Sequence, residues 1–347
     1  MYIGVLRLTS IGDVLIALHS AQKIYQNFDV DIVFITSPHL LPLLEMCPFI
    51  KYAYTSDLKF HQKKEGIWDS IPPPSNFFTD PFLIVDLQNT QRSHSFLRQL
   101  RKMIPSFVYS VPQRRLMRIF EITKSKILSL IQSQKPQKPI NPSTYIAFYQ
   151  EAWVLKALSR DLTLLSQPKP FERNFPLTAM ELPSQYLVFC LGSSGNLKNW
   201  PEEYFKDLGL LLLRDFPNLK IILTSGPEWK TTRDSIALSH PHFESRDLNL
   251  IETLETIQKS IYVVTGDSFP SHACFLLDKP FSLLLGGTQP NLGFCPPQAI
   301  IESLYLSCSP CTRHGQGICR YQNLKCLKDL LPQKVFQSIA TYLKSLD

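Results

Sequence analysis

Residues 186–201, YLVFCL-GSSGNLKNWP, join six apolar residues to a loop rich in glycine and serine, and a helix-length segment follows at 201–216. A short run that is apolar throughout is typical of a strand buried on both faces of a parallel sheet. A loop of this composition between a strand and a helix is typical of a doubly wound sheet. The segment therefore predicts one strand-loop-helix unit.

The same pattern recurs on both sides of this unit. Helices are predicted at 14–26, 201–216 and 250–259, and further apolar strands at 2–8, 31–35, 83–86, 221–224, 261–265 and 281–285. Four prolines between Leu164 and Gln185 interrupt any regular element there. We predict an α/β protein with two Rossmann-like doubly wound domains, residues 1–165 and 185–347, joined by a linker at 166–184 and facing a central cleft.

The overall composition excludes several classes of protein. The 347 residues are 44% hydrophobic and 19% charged, which is unlike a disordered, fibrous or coiled-coil chain. No window approaches the roughly 20 apolar residues of a membrane span, and the first apolar stretch is interrupted by Arg7 and Asp13. We expect a cytoplasmic protein without a signal peptide, in which the eight cysteines are thiols or metal ligands rather than a disulfide framework.

Positive charge is concentrated between Gln91 and Lys138. This window holds eleven basic residues and one acid, Glu121, so it carries +10 and the rest of the chain −3. Within it, basic residues alternate with apolar ones at helical spacing; the apolar ones are Leu116, Ile119, Phe120, Ile127, Leu130 and Ile131, and the basic ones Arg114, Arg115, Arg118 and Lys124. The spacing predicts a basic amphipathic helix, suited to an anionic lipid or glycolipid unless it is simply a solvated face. Nucleic acid is disfavoured, because no nucleic-acid-binding signature accompanies the charge.

Two segments that follow predicted strands carry candidate chemistry. Residues 7–13 (RLTSIGD) place Asp13 at the start of a helix, as a general base or as a first-turn acid favoured by the helix dipole. Residues 192–201 place two serines, two glycines and Lys198 before another helix, as an anion cradle or as a solvated turn. The segment at 192–201 is not a P-loop, because the GxxxxGK[ST] spacing is absent.

Two more segments of this kind lie nearer the C-terminus. Residues 266–272 (GDSFPSH) present Asp267, Ser268 and His272, which could hold a sugar or a nucleotide, although His272 could equally cap or pack the following helix. Residues 286–290 (GGTQP), which include Thr288, form a fourth strand-end loop.

In order and placement, these segments resemble glycosyltransferase family 9, the ADP-heptose:lipopolysaccharide heptosyltransferases. The family elements R-x-S-S-I-G-D, a segment closing in K-x-W-P, D-[ST]-G-x-x-H and G-x-T-x-P all have counterparts here. The resemblance covers nearly the whole chain. It implies a GT-B architecture, with the acceptor bound mainly by the first domain and the nucleotide-sugar by the second.

The resemblance also implies roles for individual residues. Asp13 is similar in position to the family's general base, which implies an inverting reaction, and Lys198 falls where positive charge stabilises the leaving diphosphate. The implied donor-binding residues are Ser193, Ser194, Lys198, Glu228, Asp267, Ser268, His272 and Thr288. The implied acceptor-binding residues are Arg7, Ser10, Gln88 and Arg92.

Two positions depart from the family pattern. Phe269 replaces the glycine of D-[ST]-G-x-x-H, and Glu228 in SGPEW comes one residue earlier than the acid of the family's G-x-P-x-E.

The expected function is heptose transfer from ADP-heptose to the inner core of a lipopolysaccharide-type glycolipid, peripheral to the inner membrane and with no cofactor required for catalysis. The alternatives are another nucleotide-sugar, a protein acceptor, or a degenerate member that serves as a binding module.

Four cysteines lie close together near the C-terminus, at Cys308, Cys311, Cys319 and Cys326. A CxxC pair followed by two further thiols is compatible with a structural zinc or iron site, and free thiols or disulfides are the alternatives. Four thiolates would leave no open coordination position, so the role would be structural. The other four cysteines are scattered singly and are expected to be buried small residues.

Overall fold

A computed structural model describes residues 1–64, 67–70, 82–132, 134–136, 145–170 and 180–346. The chain forms two compact units. The N-terminal unit comprises Met1–Gln113 and Ile146–Thr178, and the C-terminal unit comprises Arg114–Tyr145 and Ala179–Asp347.

The N-terminal unit is built on a seven-stranded sheet in the order β5-β4-β3-β2-β1-β6-β7. Its strands are β1 (Tyr2–Leu6), β2 (Asp31–Thr36), β3 (Ile50–Thr55), β4 (Phe60–Lys64), β5 (Ile67–Ser70), β6 (Phe82–Asp86) and β7 (Ser106–Ser110). Neighbouring strands pair in parallel, except that β4 runs antiparallel to both β3 and β5. The strand order reverses between β1 and β6, which is where ligands bind in open α/β sheets.

Among the described residues, the α-helices of the N-terminal unit are α1 (Ile11–Asn27), α2 (Gln91–Met103) and α4 (Ile146–Leu158). Helix α2 begins with a capping box, in which Thr90 and Ser93 bond reciprocally to each other's backbone N–H groups. Leu97 and Leu100 of α2 pack against Ile35 and Ile84 of the sheet in a buried cluster. The apolar stripe of the helix thereby covers one face of the sheet.

The C-terminal unit is built on a six-stranded, wholly parallel sheet in the order β10-β9-β8-β11-β12-β13. Its strands are β8 (Tyr186–Leu191), β9 (Lys220–Ser225), β10 (Phe243–Ser245), β11 (Tyr262–Gly266), β12 (Phe281–Leu284) and β13 (Ala299–Glu302). This is the strand order of a Rossmann fold, and its reversal falls between β8 and β11. All six residues of β8 are buried, as the unbroken apolar run predicts.

In the part of the C-terminal unit that the structure describes, the α-helices are α3 (Arg115–Gln132), α5 (Glu202–Asp215), α6 (Lys230–Ala237), α7 (Leu250–Lys259), α8 (Phe269–Leu277), α9 (Lys325–Lys328) and α10 (Pro332–Lys344). Apolar residues of α5 and α10, among them Phe205, Leu212 and Ile339, form one buried cluster with strand residues such as Phe189 and Leu223. Among the helices of the described residues, none has the length and hydropathy needed to span a bilayer.

The prediction of two doubly wound α/β units is confirmed. The grouping of the chain differs from the expected division at 114–145, which lies with the C-terminal unit although it precedes residue 165. The reason is a set of polar contacts over long sequence separations, such as that from Arg118 Nε to the carbonyl of Leu292, at 3.0 Å. Residues 171–179 of the expected linker lie outside the described residues.

Candidate active site

Asp13 lies in the first turn of α1, directly after β1. Its Oδ2 atom forms an ion pair with the Arg7 guanidinium and accepts a hydrogen bond from Ser10 Oγ at 3.1 Å. Arg7 also donates to the carbonyls of Thr9, at 2.7 Å, and Leu87, at 3.0 Å. The Asp13 side chain is 35% exposed and that of Arg7 only 15%. The result is an accessible carboxylate whose orientation is set by a partly buried cation.

A second strand end contributes to this region, since β6 neighbours β1 in the sheet. The fully buried Asp86 closes the loop after β6 by accepting from the backbone N–H groups of Gln88, at 2.9 Å, and Asn89, at 2.8 Å. Its other oxygen accepts from Ser93 Oγ at 2.8 Å. Asp86 therefore has a structural role that links β6 to α2.

The remaining candidates for acceptor binding differ in their surroundings. Gln88 is buried, its Oε1 accepts from the backbone N–H of Leu8 at 2.8 Å, and its Nε2 donates to Thr90 at 3.1 Å. Arg92 is exposed on the first turn of α2. The amide has a second N–H and a second oxygen lone pair, so Gln88 can contact an acceptor without breaking these bonds, whereas Arg92 faces solvent. Acceptor binding by Arg7, Ser10, Gln88 and Arg92 stays a prediction.

In the C-terminal unit, Lys198 and Asp267 connect the loops that follow β8 and β11. Lys198 Nζ donates to the main-chain carbonyl of Asp267 at 2.6 Å and lies 3.5 Å from its Oδ2. The two side chains are 11% and 9% exposed. A pair this sheltered is screened less by water than a surface pair, so it holds the two loops at the point where the strand order reverses.

The serines of the loop after β8 differ in exposure. Ser193 Oγ donates to Asn199 Oδ1 at 2.8 Å, and Ser194 is exposed. Gly192 has a φ of +76°, and a Cβ at this position would lie 2.3 Å from Cδ1 of Trp229. The indole therefore lies directly against the loop backbone, which only glycine permits.

Trp229 is a residue that the sequence interpretation missed. It ends the short 3-10 helix Pro227–Trp229 that follows β9, next to the exposed Glu228. The signal was present, because an aromatic residue directly follows the strand-end segment Ser225 to Glu228. A flat aromatic ring beside a candidate phosphate loop offers a surface against which a base could stack.

Ser268, Phe269 and His272 lie at the start of α8, with Ser268 as the N-cap residue. Phe269 is not among the described non-glycine residues with positive φ, so its backbone conformation does not require glycine. His272 is buried, and its Nδ1 lies 3.1 Å from the hydroxyl of the fully buried Tyr145. Tyr145, which also escaped the sequence interpretation, thus orients the His272 ring.

Thr288 lies in the glycine-rich loop after β12. Its Oγ1 is buried and has no hydrogen-bond partner within the part of the chain that the structure describes. Buried hydroxyls are normally paired, so this one is a candidate for a ligand contact. The Gly287 N–H donates to the carbonyl of Leu197 at 2.7 Å, which joins this loop to the one after β8.

The cysteine-containing loop at 308–326 packs directly on these strand ends. The carbonyl of Gly315 accepts from the Leu197 N–H at 2.9 Å, and a Cβ at Gly315 would lie 2.3 Å from Cγ of Lys198. The N–H of Cys311 donates to the carbonyl of Gly287 at 2.8 Å. The loop therefore supports the Lys198 side chain, a role that its cysteine spacing did not reveal.

All eight cysteines carry free thiols, and Cys47, Cys190, Cys274 and Cys295 are buried as expected. Within the described ranges, which include the whole of 308–326, no three His, Cys, Asp or Glu side chains are placed to hold a metal ion. Burial, followed by repulsion from neighbouring thiols, raises the pKa of Cys311 and of Cys326 to about 12. The cluster is therefore a set of mutually interacting thiols whose side chains do not fit a metal ion as they stand.

Known proteins share both the sequence pattern and the fold. The family model for glycosyltransferase family 9 (heptosyltransferase) matches residues 149–321. Lipooligosaccharide heptosyltransferase 2 of Campylobacter jejuni subsp. jejuni serotype O:6 is 25% identical over 276 residues, which cover 76% of this chain and 83% of that protein.

Two solved structures are similar in fold over nearly all of both chains. E. coli heptosyltransferase WaaC with ADP has a TM-score of 0.64 at 16% identity, with 99% of this chain and 100% of that one covered. E. coli ADP-heptose lps heptosyltransferase II has a TM-score of 0.63 at 15% identity, with 99% of each chain covered.

Two Rossmann-like units whose strand ends carry a carboxylate in one and a lysine-bearing glycine loop in the other define the class of GT-B glycosyltransferases. Within that class, the chain belongs to glycosyltransferase family 9, the heptosyltransferases.

Proposed function

We propose that this protein is an inverting transferase that moves heptose from ADP-heptose to the inner core of a lipopolysaccharide-type glycolipid. The family model and the Campylobacter heptosyltransferase support the reaction class and the sugar. Ser193, Ser194, Lys198, Glu228, Asp267, Ser268, His272 and Thr288 are the proposed donor-binding residues, and Arg7, Ser10, Gln88 and Arg92 the proposed acceptor-binding residues.

In the proposed mechanism, Asp13 removes the proton from the acceptor hydroxyl. The oxygen then attacks the anomeric carbon on the face opposite to the diphosphate, and the carbon–oxygen bond to ADP breaks with inversion. Arg7 and Ser10 orient the accepting carboxylate. The ion pair with Arg7 restricts the conformations of the Asp13 side chain, which favours one direction of approach for the acceptor hydroxyl.

The leaving diphosphate gains negative charge as the bond breaks, and Lys198 supplies a compensating positive charge. The N-terminal turn of α8, entered at Ser268, adds oriented backbone N–H groups. Asp267 positions Lys198, because its carbonyl and carboxylate both contact the ammonium group.

The observation that carries the proposal is that three strand-end loops meet at the ends of adjacent strands in one Rossmann-type unit. They follow β8, β11 and β12, and are joined by the contacts of Lys198 with Asp267 and of Gly287 with Leu197. Such a junction at the reversal of strand order is the usual nucleotide site of this fold. Trp229 adds an aromatic surface beside it.

The proposal is tested by calorimetric titration of the full chain with ADP, UDP and GDP, followed by transfer assays with ADP-heptose. We expect micromolar binding of ADP, about −8 kcal/mol, and weaker binding of UDP and GDP. A preference for UDP or GDP would replace the donor while keeping the reaction class. Binding of none of them, with no transfer, would favour a degenerate member that serves as a binding module.

We also propose that the protein works in the cytoplasm at the surface of the inner membrane, where a glycolipid acceptor would be held.

A structural metal at Cys308, Cys311, Cys319 and Cys326 stays a prediction. It requires the four thiols to move closer together and to lose protons, since burial and mutual repulsion now raise the pKa of three of them. Metal analysis of the purified protein, before and after substitution of Cys319 with serine, tests it.

A further inference from the structure

Helix α3 has its polar side turned toward the protein and its apolar side turned outward. The six large apolar residues of the amphipathic pattern are all exposed: Leu116 by 83%, Ile119 by 59%, Phe120 by 63%, Ile127 by 53%, Leu130 by 68% and Ile131 by 76%. The buried residues of the same helix are Arg118, Ser125 and Ser129. This is the reverse of an ordinary surface helix, which buries its apolar stripe.

The orientation of α3 is held by bonds from its polar side to the C-terminal unit. Arg118 donates to the carbonyl of Leu292 at 3.0 Å and stacks over the Phe294 ring, 4.3 Å from its centroid. Ser125 Oγ donates to the carbonyl of Ser307 at 3.1 Å. The helix cannot turn its apolar side inward without breaking these buried bonds, which would leave polar groups unsatisfied.

The C-terminal half of α3 is also fixed by hydrogen bonds from its polar side to the C-terminal unit. Ser129 accepts two hydrogen bonds, one at its Oγ from Arg320 at 2.9 Å and one at its carbonyl from Tyr321 at 2.8 Å. Near the other end, Asn291 donates to Glu121 at 2.7 Å, which removes the only acid of the helix from the outer surface. The apolar side is therefore presented along the whole length of α3.

The exposed side has the layout of a helix that lies in a membrane surface. At 3.6 residues per turn, the six apolar residues fall within an arc of about 120°. Exposed basic residues border this arc, with Lys124 on one side and Arg115 and Lys126 on the other. Long basic side chains on both borders can reach lipid phosphates while the apolar residues enter the acyl region.

We propose that the outer face of α3, defined by its six exposed apolar residues with Lys124 and Lys126, docks this protein on an anionic lipid bilayer. The inference deepens the proposed function and rests on it, because a glycolipid acceptor is anchored in a bilayer. Charge complementarity selects the occupant: Lys124 and Lys126 are exposed beside the apolar residues, and Glu121, the only acid of α3, is bonded to Asn291. Cations on the borders of an apolar helix face are attracted by the phosphates of an anionic bilayer.

The test is sedimentation of the full-length protein with vesicles of phosphatidylcholine alone or mixed with phosphatidylglycerol. We expect binding to the mixed vesicles that weakens as salt is added, and much weaker binding to phosphatidylcholine alone. The double variant Phe120→Gln with Leu130→Gln should bind at least about tenfold less, since two apolar anchors are removed. Lys124→Gln with Lys126→Gln should bind less only to the anionic vesicles.

The matched control is Leu238→Gln, which replaces an apolar residue that is 89% exposed but lies outside α3. It should bind vesicles like the unmodified protein. Equal loss in this control, or unchanged binding by the Phe120 and Leu130 variant, would overturn the proposal. So would a dimer in lipid-free buffer that the α3 variant converts to monomers without any vesicle binding.

A separate titration with ADP distinguishes the two proposals. If the α3 variant binds ADP normally but not vesicles, docking by α3 is supported while the donor site is intact. If the unmodified protein binds anionic vesicles through α3 but no nucleotide, the proposed function fails and the docking surface stands.

Discussion

The guanidinium of Arg7 forms an ion pair with the carboxylate of Asp13 at the carboxyl end of β1. The same guanidinium donates hydrogen bonds to the carbonyls of Thr9 and Leu87. The position of Asp13 therefore depends on the loops after both β1 and β6. The exposed fraction of Asp13 leaves it accessible to an acceptor hydroxyl. Arg7 therefore acts as a positioning residue for the proposed base.

Replacing Asp13 with Asn should lower kcat for heptose transfer by about 10²–10⁴-fold, because a positioned general base contributes that much. Asparagine keeps the size of the side chain but cannot accept the proton. Nucleotide binding should be unchanged, since the proposed donor residues lie in the C-terminal unit. Single-turnover transfer and ADP titration measure the two effects, and a kcat within a few-fold of the unmodified enzyme would reject Asp13 as the base.

Replacing Lys198 with Met should weaken ADP binding by about 10–100-fold, because a charge-assisted bond to the diphosphate is lost while the aliphatic stem remains. Asp267 also loses its cation, which adds to the loss. The matched control is Lys206→Met, on the exposed face of α5. Calorimetry should show unchanged affinity in the control, and an unchanged affinity in Lys198→Met would remove this lysine from the donor site.

Replacing Tyr145 with Phe should weaken ADP binding by about 3–10-fold. The hydroxyl that orients His272 is then lost, and a hydrogen bond is worth about 1 kcal/mol. The ring contact with Phe275 is retained, at 4.7 Å between centroids. A double-mutant cycle with His272→Ala identifies the route. If Tyr145 acts through His272, its substitution should have no further effect in the His272→Ala background; additive losses would contradict this.

Glu302 should make the stability of the protein depend on pH in the direction opposite to most carboxylates. Burial raises the pKa of Glu302, against the opposing effects of Ser338 and Lys334. The folded state then holds its proton more tightly than the unfolded state, so stability falls as pH rises from the ordinary glutamate pKa, about 4.3, through the raised value. Glu302→Gln, which cannot ionise, should escape this loss.

The check is thermal unfolding of the Glu302→Gln variant across pH. Above the raised pKa, we expect a melting temperature about 2–4 °C higher than that of the unmodified protein, and no difference at acidic pH. The exposed Glu181→Gln is the control, and should show no such trend. A difference that is constant with pH would mean that ionisation of Glu302 is not its cause.

Local features of the sequence were enough to predict both α/β units. The strands at 186–191 and 261–265 could be located because a short run of apolar and β-branched residues followed by a glycine is typical of a buried parallel strand. The same local signal placed Asp13 in the first turn of a helix and put Lys198 and Asp267 on strand-end loops. Each of these predictions depends on residues that are near one another along the chain.

What each side chain faces depended on partners that are distant in sequence. The spacing of residues predicted helix α3, and Arg118 was interpreted as part of a basic surface for an anionic partner. In the structure Arg118 is buried and donates to the carbonyl of Leu292. Leu292 lies 174 residues later in the chain, so the local sequence could not reveal this contact. Similarly, the side-chain oxygen of Gln88 accepts a hydrogen bond from the backbone N–H of Leu8, which lies 80 residues earlier. Periodicity along a helix shows that two faces differ, but only tertiary packing decides which one is covered, since burial of polar groups is tolerated wherever hydrogen bonds satisfy them.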